Sequence, residues 1–265
     1  LASCLAPIPA IVIAVTLVAR GKTILQLPRR SALAPDFRVI RAVVKVALPT
    51  GIQTTLLNVG GVILMRKVGS LENSAAAQAA YGICYMQLFM IINWTAFGLR
   101  AAASTLMGQN LGAGNPDRAR RCVYTAASVG LMWAVFIGLL FHFFPDQLLG
   151  IFNLTQGDAL VYGRSLLKFL SFSGVFLATA LALTGGLQGA GDTKGPMYIA
   201  FLTQIVVLLG VIEGFEALGP LTPNRIWTSI LIAHLSRLLF TWGLFRMGRW
   251  AHIKIDLGNG PVVSE

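Results

Sequence analysis

The sequence contains few charged residues and almost no acid within its apolar stretches. Only 12% of its 265 residues are Asp, Glu, Lys or Arg, whereas 55% are apolar. Soluble domains carry about 25% charged residues, and they need polar groups to cover much of their surface. The composition therefore excludes an ordinary soluble domain and indicates that the chain lies in a lipid bilayer.

Cysteine and histidine are also scarce, with three residues of each. Cys4, Cys84 and Cys122 lie within or at the edges of apolar runs and show no metal-ligand spacing, so we predict no metal site. A membrane-embedded hydrolase or acyltransferase would need a carboxylate pair, a histidine cluster or an activated nucleophile at membrane depth. The scattered histidines offer none, so we predict that the protein is not an enzyme and uses no cofactor.

The charge pattern around residues 1–19 is not the one expected of a signal peptide. Residues 1–19 are uncharged and Arg20 follows them, whereas a signal peptide has its basic segment before the apolar stretch. We interpret 1–19 as a membrane helix. Because the chain opens at Leu1 inside an apolar run, we expect further helices upstream in the complete protein.

Long apolar segments separated by turn residues predict seven transmembrane helices. These segments are too long for barrel strands and do not alternate apolar with polar residues, so the predicted fold is an all-α polytopic membrane bundle. The predicted spans are 1–19, 42–65, 74–99, 118–144, 161–186, 196–215 and 225–247.

The basic residues are distributed unevenly between the two ends of these spans. Fourteen of the 21 lysines and arginines lie in alternate connections (20–45, 107–121, 184–196 and the tail after 245), and five lie in or near the opposite ones. This asymmetry predicts a cytoplasmic carboxy terminus. The net charge of +11 thus reflects topology and contact with anionic lipid. No basic stripe is interleaved with aromatics, so we predict no nucleic-acid binding.

Two connections, 108–116 and 186–194, share the sequence Gly-Ala-Gly followed by Asn or Asp. Glycine ends a helix in the left-handed conformation, Asn or Asp caps the next helix, and Pro116 suits its first turn. Neither connection follows a strand or contains the Lys-Ser/Thr pair of a phosphate-binding loop. They therefore predict tight helix-to-helix turns.

Three motifs resemble those of the multidrug and toxic compound extrusion (MATE) transporter family. They are Leu48-Pro49-Thr50-Gly51, the segment 108–114 and the segment 185–194. They occur in the family's order and spacing, so the resemblance extends over most of residues 45–247. We assign structural turn roles to the following positions in these motifs: Pro49, Gly51, Gly108, Gln109, Gly112, Gly114, Gly189, Gly191 and Asp192.

The resemblance implies a twelve-helix transporter with two six-helix lobes, of which this chain holds the carboxy-terminal portion. Residues 1–19 would be the sixth helix, 20–41 a basic cytoplasmic linker, 42–247 the carboxy-terminal lobe and 248–265 a cytoplasmic tail. It further implies a monomer in the cell membrane that exports small cationic, amphipathic compounds in exchange for H⁺ or Na⁺. Because the cleft needs walls from both lobes, we expect no transport from this portion alone.

Polar residues within the predicted spans are the candidates for the substrate cavity, since such residues are costly in lipid. They are Gln53, Asn58, Gln78, Tyr81, Gln87, Asn93, Gln204, His234 and Arg237. The amides could instead form interhelical hydrogen bonds, and His234 could be a neutral hydrogen-bonding group. Arg237 lies midway through its span, where a charge must be paired or face water. Arg100, nearer a span end, could extend its charge to the interface.

One feature departs from the family pattern. Many members carry an acid in the seventh helix, and some carry an aspartate in the tenth, but residues 53–65 and 168–191 contain no Asp or Glu. Glu213 and Glu216 lie only at the outer end of a span. A carboxylate is the usual ligand for Na⁺ or acceptor for H⁺. We therefore hypothesise that the coupling site lies in the amino-terminal lobe, where a subset of the family uses an aspartate on the first helix.

The leading functional hypothesis is a secondary antiporter that exports drugs by alternating access. The alternative is a lipid-linked oligosaccharide flippase of the same superfamily, which would need more cationic residues to bind pyrophosphate. Arg237 is the only deep one in the sequence, so the drug exporter is favoured. A purely structural membrane scaffold would not explain the three motifs.

Overall fold

The computed structural model describes residues 7–20 and 37–253, and every regular element within them is a helix. The α-helices are α1 (Pro7–Ala19), α2 (Phe37–Gly69), α3 (Ser74–Ile83), α4 (Met90–Gly112), α5 (Pro116–Phe143), α6 (Pro145–Gly150), α7 (Gly157–Gly189), α8 (Lys194–Phe201), α9 (Leu208–Ala217) and α10 (Pro223–Arg246). A π-helical turn joins α3 to α4 (Cys84–Leu88), another joins α8 to α9 (Leu202–Val207), and a short 3-10 helix follows α10 (Arg249–His252).

Six helical stretches within the described residues are long and apolar enough to cross a membrane. They are Val39–Gly69, Ser74–Gly112, Pro116–Phe143, Gly157–Gly189, Lys194–Ala217 and Pro223–Arg246. The predicted all-α, multi-pass membrane fold is therefore confirmed. The remaining predicted span, 1–19, corresponds to the 13-residue α1, and residues 1–6 lie outside the described part.

Two helices extend five or more residues past one end of the spans predicted for them. α2 begins at Phe37, inside the predicted linker 20–41, and α4 continues to Gly112, well past the predicted end at residue 99. In both places a basic residue ended the apolar run in the sequence. Arginine and lysine are good helix formers, however, so the helical backbone continues where the hydropathy falls.

Residues 43–253, which we call the lobe, are organised around α7, which packs against α3, α4, α5 and α10. Of its most apolar 18-residue window 67% is buried, compared with 17% for the window in Val39–Gly69. Small residues at the helix contacts allow this close packing: a Cβ at Gly138 of α5, for example, would lie 2.7 Å from the carbonyl oxygen of Ser171 on α7. Membrane helices associate through such small surfaces because lipid provides no hydrophobic drive between them.

The predicted turn roles are wrong for four positions. Pro49 and Gly51 lie inside α2, and Gly108 and Gln109 lie inside α4. A proline within a membrane helix is tolerated because neighbouring groups re-satisfy the freed backbone. Gly108 instead serves packing, since a Cβ there would lie 3.3 Å from the Gly189 carbonyl oxygen.

The turns themselves follow immediately after these helices. Gly112 and Gly189 are the last residues of α4 and α7. Gly114 and Gly191 then adopt positive φ angles of 73° and 90°, a backbone conformation that favours glycine. The two Gly-Ala-Gly connections therefore reverse the chain in the same way, as their shared sequence predicts.

The two capping predictions have different outcomes. The Asp192 side chain accepts a 2.8 Å hydrogen bond from the backbone N–H of Gly195, in the first turn of α8. The Asn115 side chain makes no such bond to α5 and donates instead to the Ala113 carbonyl at 3.2 Å. Pro116 does occupy the first turn of α5.

The first residues after α10 pack against the lobe. Gly248 has a φ of 71°, and Trp250 is buried and stacks on Phe245 with ring centroids 5.3 Å apart. The residues assigned to a tail from 248 onward thus begin with a structured segment. Residues 254–265 lie outside the described part.

Candidate functional site

Close contact between α4 and α7 positions the central polar residues. A Cβ at Gly185 would lie 2.2 Å from the carbonyl oxygen of Arg100, and a Cβ at Gly189 would lie 2.2 Å from that of Ser104. The two glycines are four residues apart and therefore share one face of α7. Without side chains there, the backbones of α4 and α7 touch, and Gln188 comes beside Arg100.

A chain of hydrogen bonds joins three helices at this contact. Gln188 Oε1 accepts bonds from Arg100 Nε at 3.1 Å and from Arg100 Nη2 at 2.9 Å. Gln188 Nε2 donates to Gln53 Oε1 on α2 at 2.9 Å. Gln53 is only 2% exposed. The three side chains form what we call the amide–arginine chain (Gln53, Gln188 and Arg100), which links α2, α7 and α4.

Arg237 on α10 lies close to this chain without an acidic partner. It is 6% exposed, and it is near enough to Arg100 and Tyr85 to interact with both electrostatically. Its Nη2 atom is buried and has no hydrogen-bond partner among the described residues. Among the described residues the ion pairs are formed by Lys67 and Arg164, none by Arg237. A buried charge without a partner costs several kcal/mol, so a polar group of a ligand or of the facing lobe would stabilise Arg237.

A row of stacked aromatic rings runs beside Arg237. Tyr81 and Tyr85 stack at 4.9 Å, Tyr85 and Phe89 at 5.3 Å, and Phe89 and His234 at 6.0 Å. Trp227 adjoins Tyr81 at 6.3 Å. The row joins α3 to α10 across the π-helical turn Cys84–Leu88. Such π-turns are frequent at functional sites.

The predicted site residues do not form a single group. Gln53, Tyr81, His234 and Arg237 belong to the arrangement just described and are all buried. Gln78 and Tyr81 are only three residues apart but do not share an environment, because Tyr81 is buried and Gln78 is exposed.

The other candidates lie elsewhere. Asn58 and Gln87 are exposed, and Asn93 donates to the carbonyl of Phe89, the residue before α4, at 3.3 Å. Gln204, in the second π-helical turn, packs on Gly60 of α2, where a Cβ would lie 2.4 Å from its Cγ atom. Asn93 and Gln204 therefore have structural contacts that account for them.

Sequence reasoning did not include Arg100, Gln188 or Tyr85 among the candidates. Arg100 was expected to reach the interface, but α4 extends 12 residues beyond it to Gly112, about 18 Å of helix. Gln188 lay within a motif to which we gave only a turn role. The signal available in the sequence for Gln188 was a polar amide flanked by glycines.

Acidic side chains are absent from the middle of the long helices that the structure describes. Those present lie at helix ends or in connections: Glu72, Asp117, Asp146, Asp158, Asp192, Glu213 and Glu216. Glu213 and Glu216 pair with Lys67 at 2.6 and 2.5 Å and are largely exposed. Across residues 7–20 and 37–253, no three His, Cys, Asp or Glu residues converge as metal ligands would.

The arrangement suits binding and positioning. Arg100 and Arg237 supply positive charge, Gln53 and Gln188 supply amide groups, and the aromatic row supplies a rigid apolar wall. Because Arg237 has unfilled hydrogen-bonding capacity, a small polar molecule, water or a carboxylate from elsewhere could be held there.

Comparison with known proteins places this arrangement in context. The MatE family model matches residues 49–212. A Thermotoga maritima protein named Probable multidrug resistance protein NorM is 24% identical over 226 residues, covering 84% of this chain and 47% of that protein. Protein DETOXIFICATION 14 of Arabidopsis thaliana is 36% identical over 138 residues, covering 51% of this chain and 27% of that protein. The chain spans about half the length of the first of these relatives and less of the second.

Solved structures show the same fold. An outward-facing multidrug resistance MATE family transporter of the MOP superfamily superposes with a TM-score of 0.81 at 16% identity, covering 92% of this chain and 54% of that one. A eukaryotic MATE transporter, AtDTX14, gives a TM-score of 0.67 at 22% identity, covering 78% of this chain and 46% of that one.

Proposed function

Because the chain belongs to the MatE family of multidrug efflux transporters, we propose that it forms the carboxy-terminal wall of an antiporter that exports small organic compounds. The observation that carries this proposal is the buried, unpaired Arg237 beside the amide–arginine chain. Polar groups at membrane depth are costly and are usually retained for function. Export would proceed by alternating access, with the two lobes rocking about a central cleft.

We place the coupling site for H⁺ or Na⁺ outside this lobe, in the amino-terminal lobe. The distribution of acids supports this placement, since those in the described residues lie at helix ends or in connections. A carboxylate is the group that would accept a proton or bind Na⁺. An upstream sequence with no acid in its first membrane helix would overturn this part of the proposal.

The substrates we propose are cationic and amphipathic, as the family resemblance implies. Arg100 and Arg237 cannot balance a positive charge, so the same carboxylate that binds the coupling ion would meet the substrate's charge. Competition between the two for one group would couple export to ion entry. The arginines and amides of this lobe would then orient the polar part of the substrate or the facing lobe.

The flippase alternative is not favoured. Arg100 adds a second partly buried cation to Arg237, but the relatives matched by the sequence are multidrug proteins.

We also propose that the complete protein acts as a monomer in the cell membrane, with its carboxy terminus in the cytoplasm. The charge asymmetry supports that orientation, and a carboxy-terminal reporter that is active only outside the cytoplasm would test it.

Export is tested by expressing the complete gene in an efflux-deficient bacterium. We expect higher tolerance to cationic dyes and lower dye accumulation, with both effects lost when the ion gradient is dissipated. Unchanged tolerance across a panel of dyes and drugs, with the protein present in the membrane, would overturn the proposal. The 265-residue chain expressed alone is the matched control and should give no export, because it supplies one wall of the cleft.

A further inference from the structure

A groove of about 880 Å³ lies between α4 and α5, next to the turn that joins them. This volume is within the range of pockets that hold whole small molecules. It is separate from the amide–arginine chain and from Arg237. Its lining includes Leu99, Ala102 and Leu106 on α4 and Arg118, Arg121, Thr125 and Val129 on α5.

One end of the groove is basic. Arg118 and Arg121 are three residues apart, so both lie on the face of α5 that borders the groove. The intervening Arg120 is directed elsewhere, with its guanidinium 5.6 Å from the Trp250 ring centroid. Asp117 also lines the groove, but the ion pairs of the described residues do not include it or either arginine. The end of the groove therefore keeps a net positive charge.

The rest of the groove is apolar and continues onto an exposed apolar surface. Leu106 is 39% exposed and Val129 42%. Further along α5, Met132, Trp133 and Phe136 are exposed as well. In a membrane protein such a surface faces lipid or another part of the protein. A ligand with an anionic head and a long apolar tail would match both ends of this surface.

We propose that the groove binds one anionic phospholipid. Its phosphate would lie between Arg118 and Arg121, and one acyl chain would follow Leu106 and Val129 along α5. Basic pockets between membrane helices on the cytoplasmic side are known to recognise anionic headgroups, and the charge asymmetry places this connection on that side. The inference depends on the membrane fold, which is established, and on the proposed orientation, and not on the proposed export.

The test uses the full chain, purified in detergent, with phosphatidylglycerol and phosphatidylcholine of identical acyl chains as probes. Bound lipid is counted by native mass spectrometry during a titration. We expect phosphatidylglycerol to bind more tightly than phosphatidylcholine. The double variant R118Q/R121Q should bind phosphatidylglycerol roughly 25-fold more weakly, since each basic residue near an anionic headgroup contributes roughly fivefold in affinity.

The matched control is R246Q/R249Q, which removes the same charge from basic residues near the end of α10 and leaves the groove intact. It should retain most of the affinity. A third variant, Ala102→Phe, keeps both arginines and fills the apolar part of the groove, and it should also lose phosphatidylglycerol binding. Ala102 is exposed, so this variant should fold even if R118Q/R121Q does not.

Four outcomes would overturn the proposal. These are equal binding of the two lipids, equal loss in the two double variants, unchanged binding in Ala102→Phe, and displacement of the lipid by millimolar inorganic phosphate. The last result would identify a site for free phosphate, because inorganic phosphate lacks an acyl chain.

Discussion

Gly189 lies so close to Ser104 that a Cβ on the glycine would come within 2.2 Å of the serine carbonyl oxygen. The neighbouring turn of α7 repeats this relationship between Gly185 and Arg100. The contact involves backbone, which cannot rotate away as a flexible side chain could. The packing of α4 on α7, and with it the hydrogen bonds between Arg100 and Gln188, therefore depends on glycine at these positions.

Gly189→Ala should destabilise the lobe by about 1–3 kcal/mol, the usual cost of inserting a methyl group into a tight contact. The measurement is unfolding in mixed micelles with increasing SDS. The control is Gly98→Ala, within α4, where a Cβ would meet nothing within 4 Å. Alanine is a better helix former than glycine, so this control should be neutral or slightly stabilising. Equal effects of the two substitutions would contradict the assigned contact.

Gln188→Met should remove the hydrogen bonds of the amide–arginine chain while keeping a similar side-chain volume. Arg100 and Gln53 would then lose their shared partner, and a buried polar group left without one costs about 1–3 kcal/mol. Gln188→Glu should behave differently, because a carboxylate still accepts from Arg100. The same unfolding assay separates the two variants.

The control for this pair is Gln87→Met, which replaces an exposed glutamine and should change stability by less than about 0.5 kcal/mol. If Gln188→Met and Gln87→Met gave the same small change, the chain of hydrogen bonds would not stabilise the lobe.

The sequence predicts the helices well because each apolar run has to bury its backbone hydrogen bonds in lipid. Six runs correspond to long helices of the structure. The ends are predicted less well, since hydropathy falls at Arg100 whereas the helical backbone continues to Gly112. A charged residue lowers the local hydropathy, but it does not indicate where a helix ends.

The candidate site was predicted only in part, because its geometry depends on contacts between helices. Gln53 and Arg237 were identified from their depth in a span, which is a local property. The role of Gln188 depends on Gly185 and Gly189 facing the backbone of α4, and no spacing within α7 reveals that partner. The row from Tyr81 to His234 likewise includes a π-helical turn, which shifts the helical face and cannot be read from a regular period.

Arg237→Met should leave the lobe as stable as before or make it more stable. The arginine is buried with an unpaired Nη2 atom, and apolar replacements of buried charges are often neutral or stabilising. In the complete transporter the same variant should lose export. This combination of retained stability and lost activity is expected of a functional charge.

The control is Arg246→Met on the same helix, whose guanidinium lies 5.3 Å from the Trp242 ring centroid. It should have little effect on either measurement, since exposed cation–π pairs contribute about 0.5–1 kcal/mol. Strong destabilisation by Arg237→Met would instead assign Arg237 to the architecture of the lobe.

Trp250→Ala should destabilise the lobe by about 3 kcal/mol or more, the usual cost of truncating a buried tryptophan. The ring is 1% exposed and stacks on Phe245, its Nε1 atom donates to the Phe245 carbonyl at 2.8 Å, and Arg120 lies over it.

Trp94→Ala is the matched control, because Trp94 is 72% exposed and its one ring contact is an edge contact with Phe97 at 6.4 Å. It should cost less than about 1 kcal/mol. Since the truncation is chemically identical at both sites, equal losses in the SDS unfolding assay would mean that the segment after α10 does not pack on the lobe.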